Sequence, residues 1–490
     1  MISSKSERVS ERNHALEDLV ETFHKRLCAA FPEFAESEAL KTRLYNALGV
    51  KDTSDASAER GEERYAFEWL GRQRAEQASL EPSACVLKPC RELSRNWETT
   101  EHIYINGDNL DALKLLKAQY CGCVRMIYID PPYNSGADRM YNDRFRDPVV
   151  DQKRRGRNGS DANRKDIEGR NHSRWLSMMY ARLRVARDLL AEDGAIFISI
   201  DDHEHANLRR LCDEIFGSEN YICCFVWDTK KAGQGMATAH MVVNNHEYIY
   251  VYAKNGSHFS FKGVPRDPKN GFSNPDNDPR GPWKRQYLQR FGLGLPERTV
   301  TDPKTGIAYT FETPYTQEKL DFWVREARII FPRSKYKYPV KKEFLNEYEH
   351  PQQLTTDLGL FSTKSATEKL YDLFGGVKIF ANAKPVELIR FLVSQATRAD
   401  RQDIVLDFFS GSATTAHAVM QLNAEDSGNR RFIMVQMPES CSPKSEAFRA
   451  GCRDIFEIGR KRILLAGDAL KATYPDLDIG FRVFLCDKEE

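Results

Sequence analysis

Apolar and polar residues follow one another along residues 101–255 in a way that predicts strands and helices in turn. Short apolar runs rich in β-branched and aromatic residues are typical of buried strands, and apolar residues spaced three and four apart are typical of helices. A long helical pattern ends at Gly194 and a second one is closed by Gly217, because glycine readily takes the conformation that follows a helix. The predicted strands, in chain order, are HIYIN, MIYID, AIFISID, YICCFVWDTK and HEYIYVYAK.

The alternation resumes at residue 376 with the helix KPVELIRFLVSQA, the strand DIVLDFF, the helix SATTAHAVMQLN and the strand RRFIMVQM. Such alternation predicts a parallel sheet with helices on both faces. A stretch rich in Pro, Gly, Asn, aromatic and basic residues separates the two regions. We therefore predict an α/β fold with one Rossmann-like, mostly parallel sheet built from residues 101–255 and 376–490. An inserted domain at 256–375 interrupts it, and a helical N-terminal region at 1–100 precedes it.

Overall charge and hydropathy predict where the protein is located but do not indicate its partner. The 490 residues include 72 Lys and Arg against 71 Asp and Glu, which gives a formal net charge of +1. Only local clusters of charge can therefore point to a partner. No apolar run approaches the roughly 20 residues that span a bilayer. The first residues, MISSKSERVSERNH, lack the apolar core of a secretory signal. We expect a cytoplasmic protein with no membrane partner.

Cysteine and histidine patterns do not predict a metal site. The 11 cysteines lack the paired spacing of a zinc site, and we expect reduced thiols. His203, Glu204 and His205 stand together at the start of a predicted helix, but they have no third partner at ligand spacing. We interpret them as an acidic capping turn at the helix N-terminus.

The segment VLDFFSGSATTAHAV, Val405–Val419, is a strand, a tight turn and a helix in immediate succession. This arrangement brings backbone N–H groups and a helix N-terminus to a ligand at the carboxyl edge of a sheet. The turn has one glycine, Gly411, where a dinucleotide fingerprint needs three to approach a pyrophosphate. It therefore favours a nucleoside without phosphates, such as S-adenosylmethionine. Taken alone, the segment fits an ordinary strand–turn–helix connection equally well.

The segment RMIYIDPPYNSG, Arg125–Gly136, ends a predicted buried strand with an acid, two prolines and an aromatic residue. The amine of adenine is a weak nucleophile because its lone pair is delocalised into the ring, and two acceptors on its N–H groups would make it more reactive. Asp130 offers a carboxylate, and the Pro131 carbonyl offers a second acceptor on a segment that Pro132 stiffens. Tyr133 offers a ring on which an extruded base can stack. The two segments together predict methyl transfer to a base amine.

The motifs and their order resemble the amino-methyltransferases of DNA, in the permuted order called the β class. Further blocks within about 95–255 and 376–485 resemble the modification subunits of type III restriction–modification systems. This resemblance implies transfer of a methyl group from S-adenosylmethionine to adenine N6 of double-stranded DNA by base flipping, within a restriction–modification system. The blocks are NWETTEHIYINGDNLDALKLL, MIYIDPPYNSG, SRWLSMMYARLRVARDLL, GAIFISIDDHE, LRRLCDEIFGSENYI, HEYIYVYAKN, KPVELIRFLV and RRFIMVQMPES.

The resemblance also implies roles for individual residues. Asp108 is similar to the acid that reads the adenine amino group of the cofactor, and Lys384 and Pro385 match the motif that flanks the methionine part. The catalytic tetrapeptide is matched by Asp130, Pro131, Pro132 and Tyr133. The cofactor loop and the helix turn after it are matched by Asp407, Phe409, Gly411, Thr414 and Thr415.

Two positions depart from the pattern that the resemblance implies. Ala413 stands where many relatives have a second glycine in the cofactor loop. Gln436 stands where many Rossmann-like methyltransferases have an acid that binds the ribose. Gln436 can still bind a hydroxyl group without charge, and Glu439 is a second candidate for this role.

Two segments have the composition of a DNA contact. The basic segment Asp151–Arg174 follows the tetrapeptide and is either a solvated loop or a lid that orders against phosphates. In the insert, interleaved basic and aromatic residues favour a target-recognition domain over an accessory domain with a basic surface. These residues are Trp283, Lys284, Arg285, Tyr287, Arg333, Lys335, Tyr336, Lys337 and Tyr338.

Two other functions remain open from the residues alone. Cytosine N4 methylation needs the same pair of acceptors, and only the resemblance favours adenine. A non-catalytic subunit that directs a nuclease to DNA is the other alternative. Double-stranded DNA is the expected partner, with a homodimer and a helicase/nuclease restriction subunit as further candidates. The sequence ends with DIGFRVFLCDKEE, where type III subunits usually continue, so assembly with a restriction subunit stays open.

Overall fold

The computed structural model describes residues 67–135, 161–231, 240, 242–265, 271–290, 292–332, 337–347 and 351–488. Three predictions concern residues outside these ranges: the N-terminal helices within 1–66, the part of the basic segment up to residue 160, and the side chains of Arg333, Lys335 and Tyr336. In the described ranges, every helix is too short or too polar to cross a bilayer. The ten cysteines in these ranges are free thiols.

The described elements alternate between strands and helices in both halves of the chain, as predicted. The strands are β1 (Cys85–Arg95), β2 (Ile103–Asn106), β3 (Val124–Ile129), β4 (Leu190–Ile200), β5 (Tyr221–Asp228), β6 (His246–Ala253), β7 (Trp283–Tyr287), β8 (Glu297–Thr301), β9 (Ala308–Glu312), β10 (Ile329–Ile330), β11 (Val340–Phe344), β12 (Asp357–Leu360), β13 (Ile404–Asp407), β14 (Arg431–Gln436) and β15 (Phe481–Lys488). The helices are α1 (Arg72–Leu80), α2 (Asn109–Tyr120), α3 (Asp161–Leu189), α4 (His205–Phe216), α5 (Gln317–Arg325), α6 (Thr363–Leu373), α7 (Val386–Ala396), α8 (Thr414–Asp426), α9 (Glu446–Arg449) and α10 (Ile455–Lys471).

Ten strands form one large sheet in the order β1-β15-β2-β14-β13-β3-β4-β6-β5-β12. The run from β15 to β4 is parallel throughout, whereas β6 runs antiparallel to both β4 and β5. The six residues of β3 are all buried, which is typical of a parallel strand covered on both faces. The prediction of a mostly parallel α/β sheet is confirmed.

The helices that flank the sheet form two groups. Helices α2 and α4 both pack on α3, while α7 and α10 both pack on α8. Two groups of this kind are expected when parallel strands are joined by right-handed crossovers on opposite faces of a sheet. The main apolar core contains residues from β3, β4, β13 and β14 together with α7 and α8. This core fixes the strand ends that carry the candidate site.

The prediction of a helical region up to residue 100 is wrong over Cys85–Arg95, which forms the edge strand β1. This strand pairs antiparallel with β15 near the other end of the chain. Its sequence, CVLKPCRELSR, has no clear apolar alternation and includes Pro89, which is tolerated at a sheet edge. The partner strand therefore determines its conformation, and local sequence does not.

The long helix before β4 ends at Leu189, five residues before the predicted end at Gly194. The strand β4 begins at once and includes this glycine. A Cβ atom at Gly194 would lie 2.7 Å from the Val124 carbonyl oxygen. Glycine is therefore present because β3 approaches closely, and it does not end the helix.

The predicted insert at 256–375 is only partly separate from the large sheet. Its strand β12 pairs with β5, and Phe259 lies in the main core. The part that packs by itself contains β7 to β11 and α5, around a small apolar core of its own. The chain enters and leaves this part beside the bridge between Val264 and Gln352, whose backbones exchange hydrogen bonds of 3.0 and 2.9 Å. We call the bridge between Val264 and Gln352 the neck.

Candidate active site

The order of the strands brings the two predicted motifs to one crevice. Strands β3 and β13 are parallel neighbours, with Ile127 opposite Leu406, so Asp130 and Asp407 emerge at the same edge. The chain continues from β3 to β4 on one side and from β13 to β14 on the other. Ligands of open α/β sheets bind outside the carboxyl ends of the strands, where the direction of the connections reverses. The two motifs flank that position.

Four side chains meet around the predicted tetrapeptide. The Nζ atom of Lys384 lies 3.1 Å from Oδ1 of Asp130 and 3.1 Å from Oε2 of Glu247. The hydroxyl group of Tyr133 donates a hydrogen bond of 3.0 Å to the same Oε2 atom. The ammonium group of Lys384 also lies 4.8 Å from the centre of the Tyr133 ring. Glu247, which was not singled out from the sequence, therefore connects the lysine and the tyrosine.

The Asp130 carboxyl group and the Lys384 ammonium group are held in an environment poor in water. The side chain of Asp130 is 29% exposed and that of Lys384 is 9% exposed. Burial raises the pKa of Asp130, the lysine opposes this effect and the Glu247 carboxylate adds to it. Burial would lower the pKa of Lys384, but the two carboxylates outweigh it and raise that pKa. Lys384 therefore remains an ammonium ion.

The end of the tetrapeptide segment is fixed from the other side. The Nε1 atom of Trp175 donates a 2.6 Å hydrogen bond to the Pro132 carbonyl. Asn134, in the left-handed region at φ 61°, donates a 2.5 Å hydrogen bond to Glu204. Glu204 is fully buried and also interacts with Nδ1 of His172 at 2.6 Å and accepts from Asn207 at 2.7 Å. These hydrogen bonds tie the backbone that follows Asp130 to α3 and to the start of α4.

The interpretation of Glu204 as a capping acid is wrong. Glu204 occupies the position before α4, but its carboxylate does not accept a hydrogen bond from the helix backbone. The side-chain donors of Asn134, His172 and Asn207 take it up instead. The neighbouring His203 pairs with Asp201 at 2.8 Å. Within the described ranges, no group of three or more His, Cys, Asp or Glu is arranged to hold a metal ion.

The Asp407 carboxyl group shapes the predicted cofactor loop from below. It is buried, and it accepts hydrogen bonds from the Phe409 N–H at 3.0 Å and from the Thr415 hydroxyl at 2.6 Å. These bonds join the end of β13 to the first turn of α8. Burial raises the pKa of Asp407 to about 7, although both hydrogen bonds oppose the shift. The Thr415 hydroxyl group thus donates its hydrogen bond to Asp407 within the protein.

Gln436 supports the loop and does not face open space. Its Oε1 atom accepts a 2.7 Å hydrogen bond from the Gly411 N–H, and its Nε2 atom donates to the Met437 carbonyl at 3.0 Å. Only 3% of Gln436 is exposed. The carboxamide keeps a second N–H group and a second oxygen lone pair, so a ribose hydroxyl group can add to these contacts without replacing them. Ala413, where a glycine was expected, has a left-handed backbone with φ 61°.

Helix α10 packs against the outer side of the loop. The Arg462 guanidinium group donates to the hydroxyl groups of Ser412 at 2.8 Å and Thr414 at 2.7 Å. A Cβ atom at Gly459 would collide with the Tyr104 hydroxyl group and lie 3.2 Å from the Gly411 carbonyl oxygen. Thr414 therefore serves the packing of α10, and the absence of a side chain at residue 459 allows the close contact.

Asp108 also has structural contacts. Its carboxylate caps α2 by accepting hydrogen bonds from the N–H groups of Leu110 and Asp111. Its second oxygen lies 3.5 Å from the buried Arg182. Arg182 in turn donates to Asn109, which donates to the Phe408 carbonyl at 2.8 Å. The predicted adenine-reading acid is thereby tied to the cofactor loop, and 32% of its side chain is exposed.

The structure brings the predicted site residues to one edge of the sheet but gives several of them contacts that differ from the expected ones. Lys384 faces Asp130, and the buried Pro385 precedes α7 as its N-terminal capping residue. The residues that sequence reasoning missed are Asn109, Asn134, Trp175, Arg182, Glu247 and Arg462. All six are polar or carry a polar group and act within buried networks, where a single sequence carries little signal. Glu247 had one available signal, because it stands just before the apolar run of a predicted strand.

Comparison with known proteins identifies the relatives of this chain. The DNA methylase family matches residues 124–443. The Mod subunit of the type III restriction–modification enzyme StyLTI from Salmonella typhimurium is 34% identical over 450 residues, which cover 85% of this chain and 65% of that protein. The Mod subunit of the type III enzyme EcoP15I from Escherichia coli is 31% identical over 479 residues, which cover 88% of this chain and 72% of that protein. The chain thus spans about two thirds of the length of these relatives.

Among solved structures, the crystal structure of the M1.HpyAVI–SAM complex aligns with 74% of this chain and 98% of its own, at 14% identity and a TM-score of 0.32. The family match covers well over half of the chain, including the tetrapeptide and the cofactor loop. The strand order, the two motifs at one crevice and this match lead to one conclusion: the chain belongs to the DNA methylase family.

Proposed function

We propose that the protein transfers a methyl group from S-adenosylmethionine to adenine N6 in double-stranded DNA. The observation that carries the proposal is the position of the segment 130–133 beside the loop that follows β13, on the two sides of the crevice between β3 and β13. Neighbouring strands of a sheet are about 4.8 Å apart, so a donor held at one motif is within reach of an acceptor held at the other.

The tetrapeptide has the contacts needed to activate an amine. The Asp130 carboxylate accepts one N–H group of the base, and the Pro131 carbonyl accepts the other. The bond from Trp175 uses the Pro132 carbonyl, so it fixes the segment without using the Pro131 oxygen. The amine nitrogen forms its bond to the methyl carbon as the carbon–sulfur bond breaks, and the nitrogen then loses one proton. Tyr133, anchored by Glu247, provides the ring for stacking the extruded base.

The loop leaves room for a nucleoside to approach its backbone. S-adenosylmethionine, when bound, supplies a methyl group on a cationic sulfur. The Asp130 carboxylate at the crevice is paired with Lys384, whereas the Asp407 carboxyl group is enclosed under the loop by Phe409 and Thr415. The nearest atom to a Cβ built at Gly411 is 3.7 Å away, so a ligand can approach the backbone there. Phe409, Gly411 and Asp108 would line this side, and Gln436, Thr414 and Thr415 would hold the loop in shape.

The insert supplies the surface that would recognise a DNA site. Tyr287 is 67% exposed and Tyr338 is 42% exposed. Tyr287 pairs with Val340, two residues from Tyr338, so both rings lie at the same end of a small sheet, next to the exposed Lys337. Trp283, in contrast, is buried and donates to Asp276, so it stabilises the insert. We infer that the exposed aromatic and basic residues contact bases and phosphates.

Relatives suggest the biological setting. Two of them are named Mod subunits of type III restriction–modification enzymes. We propose that this chain acts in the cytoplasm as the modification subunit of such a system. In this setting the partners, besides DNA, are a second copy of the chain and a restriction subunit.

Analysis of the methylated product tests the proposal. The protein is incubated with DNA of mixed sequence and S-adenosylmethionine carrying an isotopically labelled methyl group, and the nucleosides are identified by mass spectrometry. We expect labelled N6-methyladenine, and we expect Asp130→Ala to abolish it while S-adenosylmethionine still binds. Labelled N4-methylcytosine would show that the enzyme methylates cytosine and not adenine. DNA binding without any labelled base would indicate a recognition subunit.

A further inference from the structure

We propose that Lys384 and Glu247 are positioning residues that set the charge and the orientation of Asp130. Lys384 holds the carboxylate ionised and directed at the target amine, and Glu247 holds Lys384 in place. This inference rests on the proposed methyl transfer, and it moves Lys384 from the cofactor side of the site to the base side. We call Lys384 and Glu247 the charge pair.

The topology explains why these two residues reach Asp130. Lys384 lies in the loop just before α7. Glu247 is the second residue of β6, which runs antiparallel to β4 with Tyr248 opposite Ile200. The first residues of β6 therefore lie at the edge where β3 and β4 end. A carboxylate on a reversed strand is thus placed beside a carboxylate at the end of a parallel strand.

The contacts show that Lys384 serves both carboxylates at once. Its ammonium group lies 3.1 Å from an oxygen of Asp130 and 3.1 Å from an oxygen of Glu247, and the lysine side chain is 9% exposed. The same oxygen of Glu247 accepts the Tyr133 hydroxyl. Glu247 therefore fixes both the lysine that faces the acceptor and the ring proposed to stack the base. A change at Glu247 therefore affects Tyr133 directly and Asp130 through Lys384.

Charge counting gives opposite roles to the two members of the charge pair. One cation lies between two carboxylates in a site that is largely closed to water. Removing the lysine would leave two negative charges together, and protonation of Asp130 would become easier. Removing the charge of Glu247 would leave the Asp130–Lys384 ion pair alone, and protonation of Asp130 would become harder. A protonated Asp130 is a weaker acceptor for the hydrogen bond from the amine N–H group than the carboxylate is.

Other titratable groups also face Asp130. Burial keeps the phenols of Tyr128 and Tyr133 neutral, because it raises both pKa values far above the ordinary range. Asp407 has a pKa of about 7 and would itself titrate in the range of interest. Within the described ranges, the titratable groups that face Asp130 are Tyr128, Tyr133, Glu247, Lys384 and Asp407.

The pH dependence of single-turnover methylation tests the inference. Rates are measured from pH 5 to 9 on DNA that the wild-type protein methylates, for Lys384→Met and for Glu247→Gln, and each variant is repeated with Asp407→Asn to remove the second carboxyl. We expect the acid limb of the Lys384→Met profile to move up by about one pH unit or more, as an opposite charge at this distance predicts. We expect the acid limb of Glu247→Gln to move down. Calorimetry should find S-adenosylmethionine affinities within about twofold of wild type, because neither change touches the cofactor side.

The ion pair between Lys369 and Glu387 provides the matched control. It also joins a lysine to a glutamate at α7, but the two side chains are 62% and 42% exposed. Lys369→Met should leave the acid limb unmoved, because an exposed pair is screened by water. If Lys384→Met does not fold, the isosteric Glu247→Gln still decides the matter by the direction of its shift.

Three results would overturn the inference. A roughly tenfold loss of S-adenosylmethionine affinity in Lys384→Met, with the acid limb in place, would return Lys384 to the cofactor side. Shifts of both variants in the same direction would contradict the opposing roles, and two unmoved limbs would remove the charge effect. A wild-type protein that methylates no base would instead refute the proposed function, which separates the two failures.

Discussion

At the scale of single residues, Asp407 shows how burial changes what a side chain can do. The carboxyl group ends β13, accepts two hydrogen bonds and is 3% exposed. Burial raises its pKa from the ordinary 3.8 to about 7. The folded protein therefore binds this proton more tightly than the unfolded chain. The resulting contribution to the free energy of unfolding is complete below about pH 4 and is lost as the pH rises through 7.

The variant Asp407→Asn should remove this pH dependence. An amide keeps the size of the side chain and an acceptor for the Phe409 N–H, but it cannot ionise. Between pH 5 and pH 8 the free energy of unfolding of the variant should rise relative to wild type by about 2.5 kcal/mol. Urea denaturation at the two pH values measures this difference. Asp476→Asn, an exposed site, is the control, and an equal response of both variants would contradict the prediction.

The structure gives several of the predicted cofactor residues partners that the sequence did not indicate. Thr414, Thr415 and Gln436 were expected to hold the cofactor, whereas their side chains bind Arg462, Asp407 and the Gly411 N–H. Each of these partners comes from another element or from across the loop. A motif specifies which side chains are present, but the hydrogen bonds they make depend on which neighbours the fold delivers.

At the scale of elements, the cofactor loop depends on its packing against α10. The two approach closely because residue 459 is a glycine. A Cβ atom at this position would collide with the Tyr104 hydroxyl group and lie 3.2 Å from the Gly411 carbonyl oxygen. Arg462, one turn further along α10, bonds to Ser412 and Thr414. The helix therefore acts as a support that keeps the loop in one conformation.

Gly459→Ala should weaken S-adenosylmethionine binding by moving this support. Overpacking a buried contact costs about 1–3 kcal/mol, and we expect a loss of affinity of roughly tenfold in calorimetry. Tyr104→Phe should restore part of the affinity, because it removes the colliding oxygen. The control is Gly169→Ala, since nothing lies within 4 Å of a Cβ there. Unchanged affinity in Gly459→Ala would show that the loop does not need this contact.

At the scale of the whole molecule, the insert is joined to the large sheet by the neck. Backbone hydrogen bonds in both directions between Val264 and Gln352 hold the two chain ends side by side. The insert has its own small apolar core. The proposed DNA-reading surface can therefore be removed from the large sheet by a single deletion in the chain.

Replacing residues 266–350 by a short glycine-rich turn should leave the large sheet folded. Since the two ends are already paired across the neck, a turn of about two to four residues is enough to connect them. We expect S-adenosylmethionine to bind as in the complete protein. DNA binding should weaken, and its dependence on salt should become less steep as phosphate contacts are lost. Methylation that stays confined to one DNA sequence would contradict the assignment of target recognition to the insert.

The sequence by itself determined the α/β class, the parallel sheet and the two motifs, because strand and helix periodicity and turn composition are local properties. It also predicted that a different kind of segment interrupts the alternation of strands and helices. Its errors are at Cys85–Arg95 and Gly194, where a distant strand decides the conformation. Composition placed β12 in the insert, while pairing with β5 places it in the large sheet.

Only the tertiary structure decided how the site is assembled. The strand order puts β13 between β14 and β3, and this neighbourhood brings Asp130 to Asp407 although the two are far apart in the chain. The reversed strand β6 adds Glu247 to the same edge, and the loop before α7 adds Lys384. Local sequence cannot supply this information, because contacts between distant residues depend on the pairing of whole strands and on the burial of the charges that they carry.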